Sequence, residues 1–138
     1  MKNSAFHLSL PCYSITKTKN FYIDTIGAKL GRHSTQWADI DLFGNQITFT
    51  KSGEFAFSYK SYKFGDTVLP AFHFGVILDE KTWEIIFDRL SGKREEPFVA
   101  TTFLKDKKGE HTSFFVEDPN SYVVEFKKFK GTQQVFAS

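Results

Sequence analysis

Two histidines occupy matching positions in the chain. His7 lies in residues 6–9 and His73 in residues 72–75, and each follows a phenylalanine and precedes a small residue two positions later. Glu125 stands between two apolar residues further along. Two imidazoles and a carboxylate that meet on one face can hold a divalent metal ion and leave coordination positions open. Open positions admit water and a chelating substrate, whereas four protein ligands make a closed, structural site.

The residues around His7 predict a strand, a helix and three further strands. Apolar and polar side chains alternate in residues 6–10, which predicts a strand with one apolar face. Ser14 can cap a helix that runs to about Ile26 and stops at Gly27. Short strands are then predicted at 28–34, 37–42 and 45–50.

The residues around His73 predict the same order of elements. A strand at 71–78 is followed by a helix that Asp79 or Thr82 opens and Gly92 ends. Strands are then predicted near 97–105, 111–117 and 121–129. The chain is therefore predicted to contain one strand–helix–three-strand module twice.

The repeat gives the three candidate ligands a reason to meet. Residues 41–49 align with residues 118–126, and the second copy is longer by about 11 residues, mostly in the loop at 105–110. If the two modules pair about a pseudo-twofold axis, equivalent faces of their sheets come together. His7, His73 and Glu125 would then converge from a shared concave surface.

Each candidate ligand also has a simpler interpretation. A histidine in a strand is more often a surface or hydrogen-bonded residue than a metal ligand. Glu125 with Lys127 could form the solvated face of an edge strand. Taken one residue at a time, these alternatives stay open.

Other polar residues are weaker candidates. His111 follows the charged loop at 105–110, and it could take part in catalysis by gating a cavity or could simply solvate a hairpin. His33 ends a polar strand, where exposure is expected. Cys12 has no basic neighbour in the sequence that would activate it as a nucleophile.

Composition excludes several classes of protein. The 138 residues suit a single domain over 1–138, with a first module at about 4–50, a linker at 51–70 and a second module at about 71–129. One cysteine excludes an internal disulfide framework, and a net charge of +2 gives no reason to expect a nucleic-acid partner. Without a membrane-length apolar run or a signal peptide, a cytoplasmic protein with no membrane partner is expected. The 17 phenylalanines suggest a filled core or an aromatic-lined cavity.

Four segments together resemble a known superfamily. Residues 6–10, 20–22, 72–75 and 118–126 are similar to motifs of the vicinal oxygen chelate superfamily, which includes glyoxalase I, bleomycin and fosfomycin resistance proteins and extradiol dioxygenases. The likeness runs from residue 6 to about residue 128. Its most specific part is 118–126, where Ser121 replaces the usual turn glycine.

The resemblance implies a fold, a metal site and a type of substrate. The implied fold is α+β, with two paired βαβββ modules forming an open, barrel-like cup around a divalent metal ion. By motif position, His7, His73 and Glu125 fall on the metal ligands, a set that suits Fe, Mn, Ni or Zn. A small-molecule substrate that binds the metal through adjacent oxygens, and a homodimer, are also expected.

Departures from the family pattern rank the activities. Where glyoxalase I usually has a fourth ligand, the repeat alignment places Thr48, with Gln46 two residues away. Extradiol dioxygenases usually have a tyrosine where Phe115 stands, and His111 is the remaining candidate for their catalytic histidine. Phe115 weakens the dioxygenase assignment by removing a hydrogen-bond donor, but Thr48 removes the base that the glyoxalase I reaction needs for proton transfer. A metal-dependent dioxygenase or lyase is therefore ranked above glyoxalase I (lactoylglutathione lyase). Non-catalytic sequestration of a small molecule, as in bleomycin resistance proteins, stays the main alternative.

Overall fold

The computed structural model describes residues 4–138 and divides into two compact units. The first unit contains the chain up to Lys60 together with Glu117–Tyr122. The second contains Ser61–Val116 and Val123–Ser138. Among the described residues, no helix is long and apolar enough to cross a membrane.

The first unit is built on a four-stranded sheet in the order β1-β4-β3-β2. Its elements are β1 (His7–Cys12), α1 (Ile15–Lys19) continued by a π-helical segment (Asn20–Ile26), β2 (Lys29–His33), β3 (Trp37–Leu42) and β4 (Asn45–Lys51). Strands β1 and β4 run parallel, whereas the β2–β3 and β3–β4 pairs are antiparallel. The strand–helix–three-strand order predicted for this half of the chain is confirmed.

Local sequence signals explain where the first helix begins and ends. The Ser14 hydroxyl accepts a hydrogen bond from the Lys17 N–H at 3.1 Å, which satisfies a backbone donor in the first helical turn. Gly27 ends the helix with φ of 93°, a left-handed conformation that glycine adopts without steric penalty. Tyr22 and Ile26 point into the core and are fully buried. The predicted cap and stop are both confirmed.

The second unit repeats this architecture. Its elements are a hairpin of β5 (Ser61–Phe64) and β6 (Thr67–Pro70), followed by β7 (Phe74–Ile77), α2 (Glu80–Ser91), β8 (Thr101–Phe103), β9 (His111–Glu117) and β10 (Val123–Phe129). The four-stranded sheet has the order β7-β10-β9-β8, and β7 runs parallel to β10. This is the order and direction of the first sheet, so the α+β fold with two βαβββ modules is confirmed.

Helix α2 packs on its sheet through one apolar stripe. Asp79 caps the helix by accepting a hydrogen bond from the Thr82 N–H at 2.8 Å, and Gly92 follows its last turn. Trp83 is buried, and its indole N–H donates to the carbonyl oxygen of Phe126 at 2.9 Å. The helix therefore holds the apolar face of β10 and leaves the opposite face of that strand to other contacts.

Two segments differ from the sequence-based expectation. The strand predicted at 71–78 is shorter, so His73 lies directly before β7 rather than within it. The segment at 51–70, expected to link the modules or cover a cavity, contains the β5–β6 hairpin. Both differences affect one cavity, because His73 and residues of this hairpin line it together.

Candidate functional site

Glu125 is a buried carboxylate in the middle of a sheet. Alternation along β10 turns its neighbours Val124 and Phe126 into the core and Glu125 to the opposite face, where only 7% of the residue is exposed. Strand β10 lies between β7 and β9, so it is not an edge strand. The alternative interpretation, a solvated edge-strand face, is therefore wrong. A buried carboxylate needs polar partners to offset its lost hydration.

Three side chains of the second unit surround the Glu125 carboxylate. The Ser113 hydroxyl on β9 donates a hydrogen bond to its Oε2 atom at 2.6 Å. The Nε2 atom of His73 lies 3.2 Å from Oε1, and the Lys127 ammonium lies 3.8 Å from Oε2. Oε2 therefore faces a hydroxyl group and an ammonium group, whereas Oε1 faces an imidazole nitrogen.

Gly75 allows strands β7 and β10 to approach each other closely at this site. The register of β7 and β10 sets Gly75 directly beside Glu125. A Cβ atom at position 75 would lie only 1.8 Å from the Glu125 carbonyl oxygen, which no side chain could tolerate. The small residue two positions after His73 is therefore required by backbone packing at the candidate ligand.

The hydrogen bonds of His73 fix its tautomer. Its Nδ1 atom lies 2.9 Å from the Pro70 carbonyl oxygen, which can only accept, so Nδ1 donates its proton there. In the neutral ring, Nε2 then keeps a lone pair, and this lone pair faces the Glu125 carboxylate. Two such acceptors need a shared cation between them, either a proton or a metal ion.

The spacing of these two groups suits a metal ion. Two donor atoms that each bind one metal at about 2.1 Å lie roughly 3.0–3.4 Å apart, from right-angle to tetrahedral geometry. The observed 3.2 Å between His73 Nε2 and Glu125 Oε1 falls in that range. The bond from His73 to a backbone carbonyl is also the contact that orients metal-binding histidines. His73 and Glu125 therefore fit a divalent metal.

Two cavities meet at this pair of residues. One, of about 250 Å³, lies along β7 and is lined by His73, Glu125 and Lys127 together with residues 74–77. The other, of about 160 Å³, shares those three polar side chains and adds an apolar and aromatic wall of Tyr62, Phe64, Leu69, Phe103 and His111. The second unit thus combines a candidate metal ligand pair with space for a small molecule.

His111 and Phe115 both lie close to this site. His111 lines the aromatic cavity, and its Nδ1 atom donates to the Gly109 carbonyl oxygen at 2.8 Å, which leaves Nε2 as the acceptor in the neutral ring. The Phe115 ring packs edge-on against His73, with ring centroids 5.6 Å apart. A tyrosine at position 115 could offer a donor near the ligand pair, but phenylalanine cannot.

Comparison with solved structures identifies proteins that share this fold. No family model matches the sequence, and no curated protein matches it. A crystal structure of a glyoxalase/bleomycin resistance protein/dioxygenase from Alicyclobacillus acidocaldarius is 25% identical, covers 97% of each chain and has a TM-score of 0.76. The chain has the vicinal oxygen chelate fold.

More distant structures share the same fold. An integron cassette protein from the mobile metagenome of the Halifax Harbour sewage outfall is 15% identical over 92% of this chain and 99% of that chain, with a TM-score of 0.65. The fosfomycin resistance protein FosX from Listeria monocytogenes is 12% identical over 99% and 100% of the two chains, with a TM-score of 0.64. The vicinal oxygen chelate superfamily includes glyoxalases and dioxygenases as well as resistance proteins, so the fold by itself assigns no single activity.

His7, the third predicted ligand of this vicinal oxygen chelate domain, lies in the first unit. It is exposed at the start of β1, on the polar face of the first sheet, and it pairs in register with Gln46. Within residues 4–138, neither unit by itself contains three or more His, Cys, Asp or Glu side chains grouped closely enough to hold a metal ion. The three-ligand set of His7, His73 and Glu125 stays a prediction.

The polar face of the first module holds a carboxylate that sequence analysis missed. Asp39 on β3 is 7% exposed and accepts a hydrogen bond from the Thr48 hydroxyl at 2.7 Å. Gln46 donates to the same carboxylate at 3.2 Å, and the Arg32 guanidinium lies 3.4 Å away. Thr48 and Gln46, the two residues considered for a fourth ligand, are therefore committed to Asp39. The only signal in the sequence is an acidic residue between apolar ones in a predicted strand.

The remaining candidates take no part in either carboxylate cluster. His33 is exposed, with its Nδ1 atom 3.2 Å from the Gly31 carbonyl oxygen. Cys12 is fully buried, and desolvation raises the pKa of its thiol. A raised pKa disfavours the reactive thiolate, which agrees with the expectation that Cys12 is not a nucleophile.

Proposed function

We propose that this protein binds a divalent metal ion through His73 and Glu125, with His7 as third ligand, and acts on a small substrate that chelates the metal through adjacent oxygens. The observation that carries the proposal is the Nε2 atom of His73 held 3.2 Å from the Glu125 carboxylate, with Nδ1 directed to the Pro70 carbonyl oxygen at 2.9 Å. Three protein ligands would leave positions for a bidentate substrate. The ligand set suits Fe, Mn, Ni or Zn.

The chain's own residues would prepare the site. A bound metal would act as a Lewis acid on the substrate oxygens or support dioxygen chemistry. Ser113 holds the Glu125 carboxylate in place through Oε2, which leaves Oε1 directed toward His73. The aromatic residues of the neighbouring cavity would exclude water from a bound substrate. His111, with an acceptor nitrogen on the wall of that cavity, is the candidate for moving a substrate proton.

The reaction class follows from what the neighbouring residues can supply. Thr48 stands at the place of the fourth glyoxalase I ligand. Its hydroxyl group donates a hydrogen bond to Asp39, and it has no carboxylate that could act as a base. Loss of a general base typically lowers rates by about 10²–10⁴. Phe115 removes a donor near His73 and leaves the candidate ligands in place. A missing donor lowers the rate of dioxygenase chemistry, whereas a missing base blocks the proton transfer of the glyoxalase I reaction, so dioxygenase-like or lyase chemistry is ranked first.

Activity assays separate these chemistries. Protein reconstituted anaerobically with Fe(II) is expected to consume oxygen with members of a catechol panel. Protein loaded with Ni(II) or Zn(II) is expected to be inactive on the hemithioacetal of methylglyoxal and glutathione. Turnover confined to the hemithioacetal would reverse the ranking.

Metal content tests the ligand assignment directly. We expect His73→Ala and Glu125→Gln to remove most bound divalent metal, as measured by elemental analysis and by calorimetric titration of chelator-treated protein. Thr48→Ala is the matched control, because its hydroxyl contacts only Asp39 among the carboxylates described here, and metal content should not change. If metal content survives both ligand substitutions, the proposed site is wrong.

The aromatic cavity keeps a second function in view. A protein that sequesters an aromatic small molecule needs apolar walls and little chemistry, and Tyr62, Phe64 and Phe103 provide such walls. Tight ligand binding that a chelator does not change would favour this function over the metalloenzyme.

We also propose a homodimer. Phe6, next to His7 at the start of β1, is 61% exposed, so a contact with a second copy would remove its apolar surface from water. Light scattering at micromolar concentration tests this, and a monomer would contradict it.

A further inference from the structure

Lys127 stands at the junction of the two cavities of the second unit. It follows Glu125 by two residues on β10, so both side chains lie on the same face of the sheet. Lys127 lines both cavities, and among the described lining residues it alone carries a permanent positive charge. The site therefore offers an ammonium group beside the candidate metal ligands.

The contacts that Lys127 makes with Glu125 and with the Phe129 ring, whose centre lies 5.8 Å from Nζ, leave its N–H donors available. Its Nζ atom lies 3.8 Å from Glu125 Oε2, beyond the roughly 2.7–2.9 Å of a charge-assisted hydrogen bond. The same Glu125 oxygen already accepts a hydrogen bond from the Ser113 hydroxyl group. An ammonium group has three N–H donors, so Lys127 can hold an anionic group of a ligand while it stays near Glu125.

The smaller cavity supplies preformed aromatic walls. Phe64 packs edge-on against Phe103 with ring centroids 5.7 Å apart, and Phe103 stacks on His111 at 5.1 Å with an angle of 23° between the ring planes. These rings hold one another in place, so a planar ligand could enter without ordering them. Planar aromatic rings and apolar walls of this kind favour each other through dispersion and offset stacking.

We infer that the ligand of this site is a small planar aromatic anion, whose ring lies against Phe64, Phe103 and His111 and whose negative group meets Lys127. The inference rests on the proposed function and deepens it, because it names the class of substrate that the same site takes. The cavity has an ammonium group with available N–H donors on one side and aromatic walls on the other. Such a cavity fits a molecule that carries a negative group at one end and a ring at the other. A neutral molecule of the same shape would give the ammonium group no anionic partner besides Glu125.

Lys128 provides a matched control on the same strand. Its side chain lies on the other side of β10, where its Nζ atom is 2.7 Å from Glu84 and 4.2 Å from the centre of the Trp83 ring. It has the same charge and length as Lys127 and does not line either cavity. Removal of its charge should therefore leave ligand binding unchanged.

The test compares two probes that differ in charge and share size and ring. Benzoate and benzamide are titrated into chelator-treated protein, and dissociation constants are measured by calorimetry and by NMR shifts of residues in the second unit. We expect benzoate to bind about tenfold more tightly than benzamide. Lys127→Met should remove that preference, Lys127→Arg should preserve it, and Lys128→Met should have no effect.

The possible failures are distinguishable from failure of the metal site. Undetectable benzoate binding, equal affinity for the two probes in the unmodified protein, or benzoate binding that survives Lys127→Met would each overturn the inference. Metal titration of the same variants reports separately on His73 and Glu125. If Lys127→Met removes benzoate preference while the unmodified protein binds no metal, the anion site stands and the proposed metal function falls.

Discussion

Each module holds one buried carboxylate on the polar face of its sheet, and the two differ in what surrounds them. Asp39 and Glu125 are both 7% exposed. Each accepts a short hydrogen bond from a hydroxyl group on the adjacent strand, Thr48 at 2.7 Å and Ser113 at 2.6 Å. The remaining neighbours of Asp39 are obligatory donors, whereas Oε1 of Glu125 faces the Nε2 atom of His73, which in the neutral ring is an acceptor. Hydrogen-bond donors therefore surround the Asp39 carboxylate, whereas the Glu125 carboxylate and His73 could share a cation.

The carboxylate and the hydroxyl exchange strands between the modules. In the first module the carboxylate is on the third strand, β3, and the hydroxyl on the fourth, β4. In the second module the hydroxyl is on the third strand, β9, and the carboxylate on the fourth, β10. In each module the fourth strand pairs with the first, and the first strand begins at a histidine or directly after one. The exchange therefore decides which carboxylate can lie beside an imidazole. One repeated scaffold can therefore carry a structural pair and a candidate ligand pair.

The largest expected effect tests the close approach that the second module requires. Gly75→Ala should destabilise the protein by about 3 kcal/mol or more, because the added Cβ would lie 1.8 Å from the Glu125 carbonyl oxygen and the backbone cannot yield. Ser9, the corresponding small residue of the first module, already has a side chain beside Thr48. Ser9→Ala should change stability by less than about 0.5 kcal/mol.

Denaturant unfolding of both variants measures this difference. Equal effects of the two substitutions would mean that the sheets do not differ at this position. A stable Gly75→Ala protein would contradict the β7–β10 register.

A smaller effect concerns a third buried carboxylate, which like Asp39 is surrounded by donors. Burial raises the pKa of Asp118, while the Tyr22 hydroxyl bond at 2.7 Å and two backbone N–H bonds act to lower it. Because the folded-state pKa lies above the unfolded value, this group's contribution to stability falls as pH rises through that interval. Tyr22→Phe should raise the pKa of Asp118 further.

The pH dependence of Tyr22→Phe follows from that sign. The variant should lose about 1.5–3 kcal/mol at neutral pH, where the bond to an ionised carboxylate is removed, and less in acid, where the carboxyl is protonated in both proteins. Denaturant unfolding across pH and NMR titration of the Asp118 carboxyl measure the two effects. A loss of stability that is constant with pH would show that Asp118 does not ionise in the folded state over this range.

The last comparison concerns the two hydroxyl groups that donate to the buried carboxylates, and its expected effects on metal affinity and stability are the smallest. Ser113→Ala should weaken divalent metal binding by about 10–100-fold, since it removes the hydrogen bond that orients Glu125. Thr48→Ala should leave metal binding unchanged and reduce stability by roughly 1–3 kcal/mol, because it deprives buried Asp39 of a donor. Calorimetric metal titration and unfolding curves measure the pair. Equal losses of metal affinity would contradict the separate roles assigned to the two hydroxyl groups.

Periodicity and caps made most of the fold predictable. Ser14 and Gly27 bound the first helix as expected, and the predicted strand at 37–42 coincides with β3. These features depend on local hydrogen bonds and on alternation along one strand, which a sequence displays directly. The hairpin within 51–70 was missed because each of its strands has only four residues, and because the second strand contains two adjacent apolar residues and ends in a proline.

The candidate site was predictable in part. Glu125 was recognisable as a polar residue among apolar ones in a predicted strand, and His73 by its place in the repeat. Ser113 and Lys127 gave no comparable signal, because a serine or a lysine in a strand is common and its partner lies on another strand or in a cavity. Asp39 was missed for the same reason.

The sequence by itself determined the repeated βαβββ order, the positions of the helix caps and the types of residue that could bind a metal. Only the tertiary structure decided which carboxylate lies beside a histidine, since that depends on the register of β7 against β10 and on the absence of a side chain at Gly75. It also decided that Thr48 donates a hydrogen bond to Asp39, and that Lys127 lines two cavities. Local patterns fix elements because neighbours in sequence are neighbours in space. Partners across strands depend on register, and a shift of one residue would turn each of these side chains to the other face.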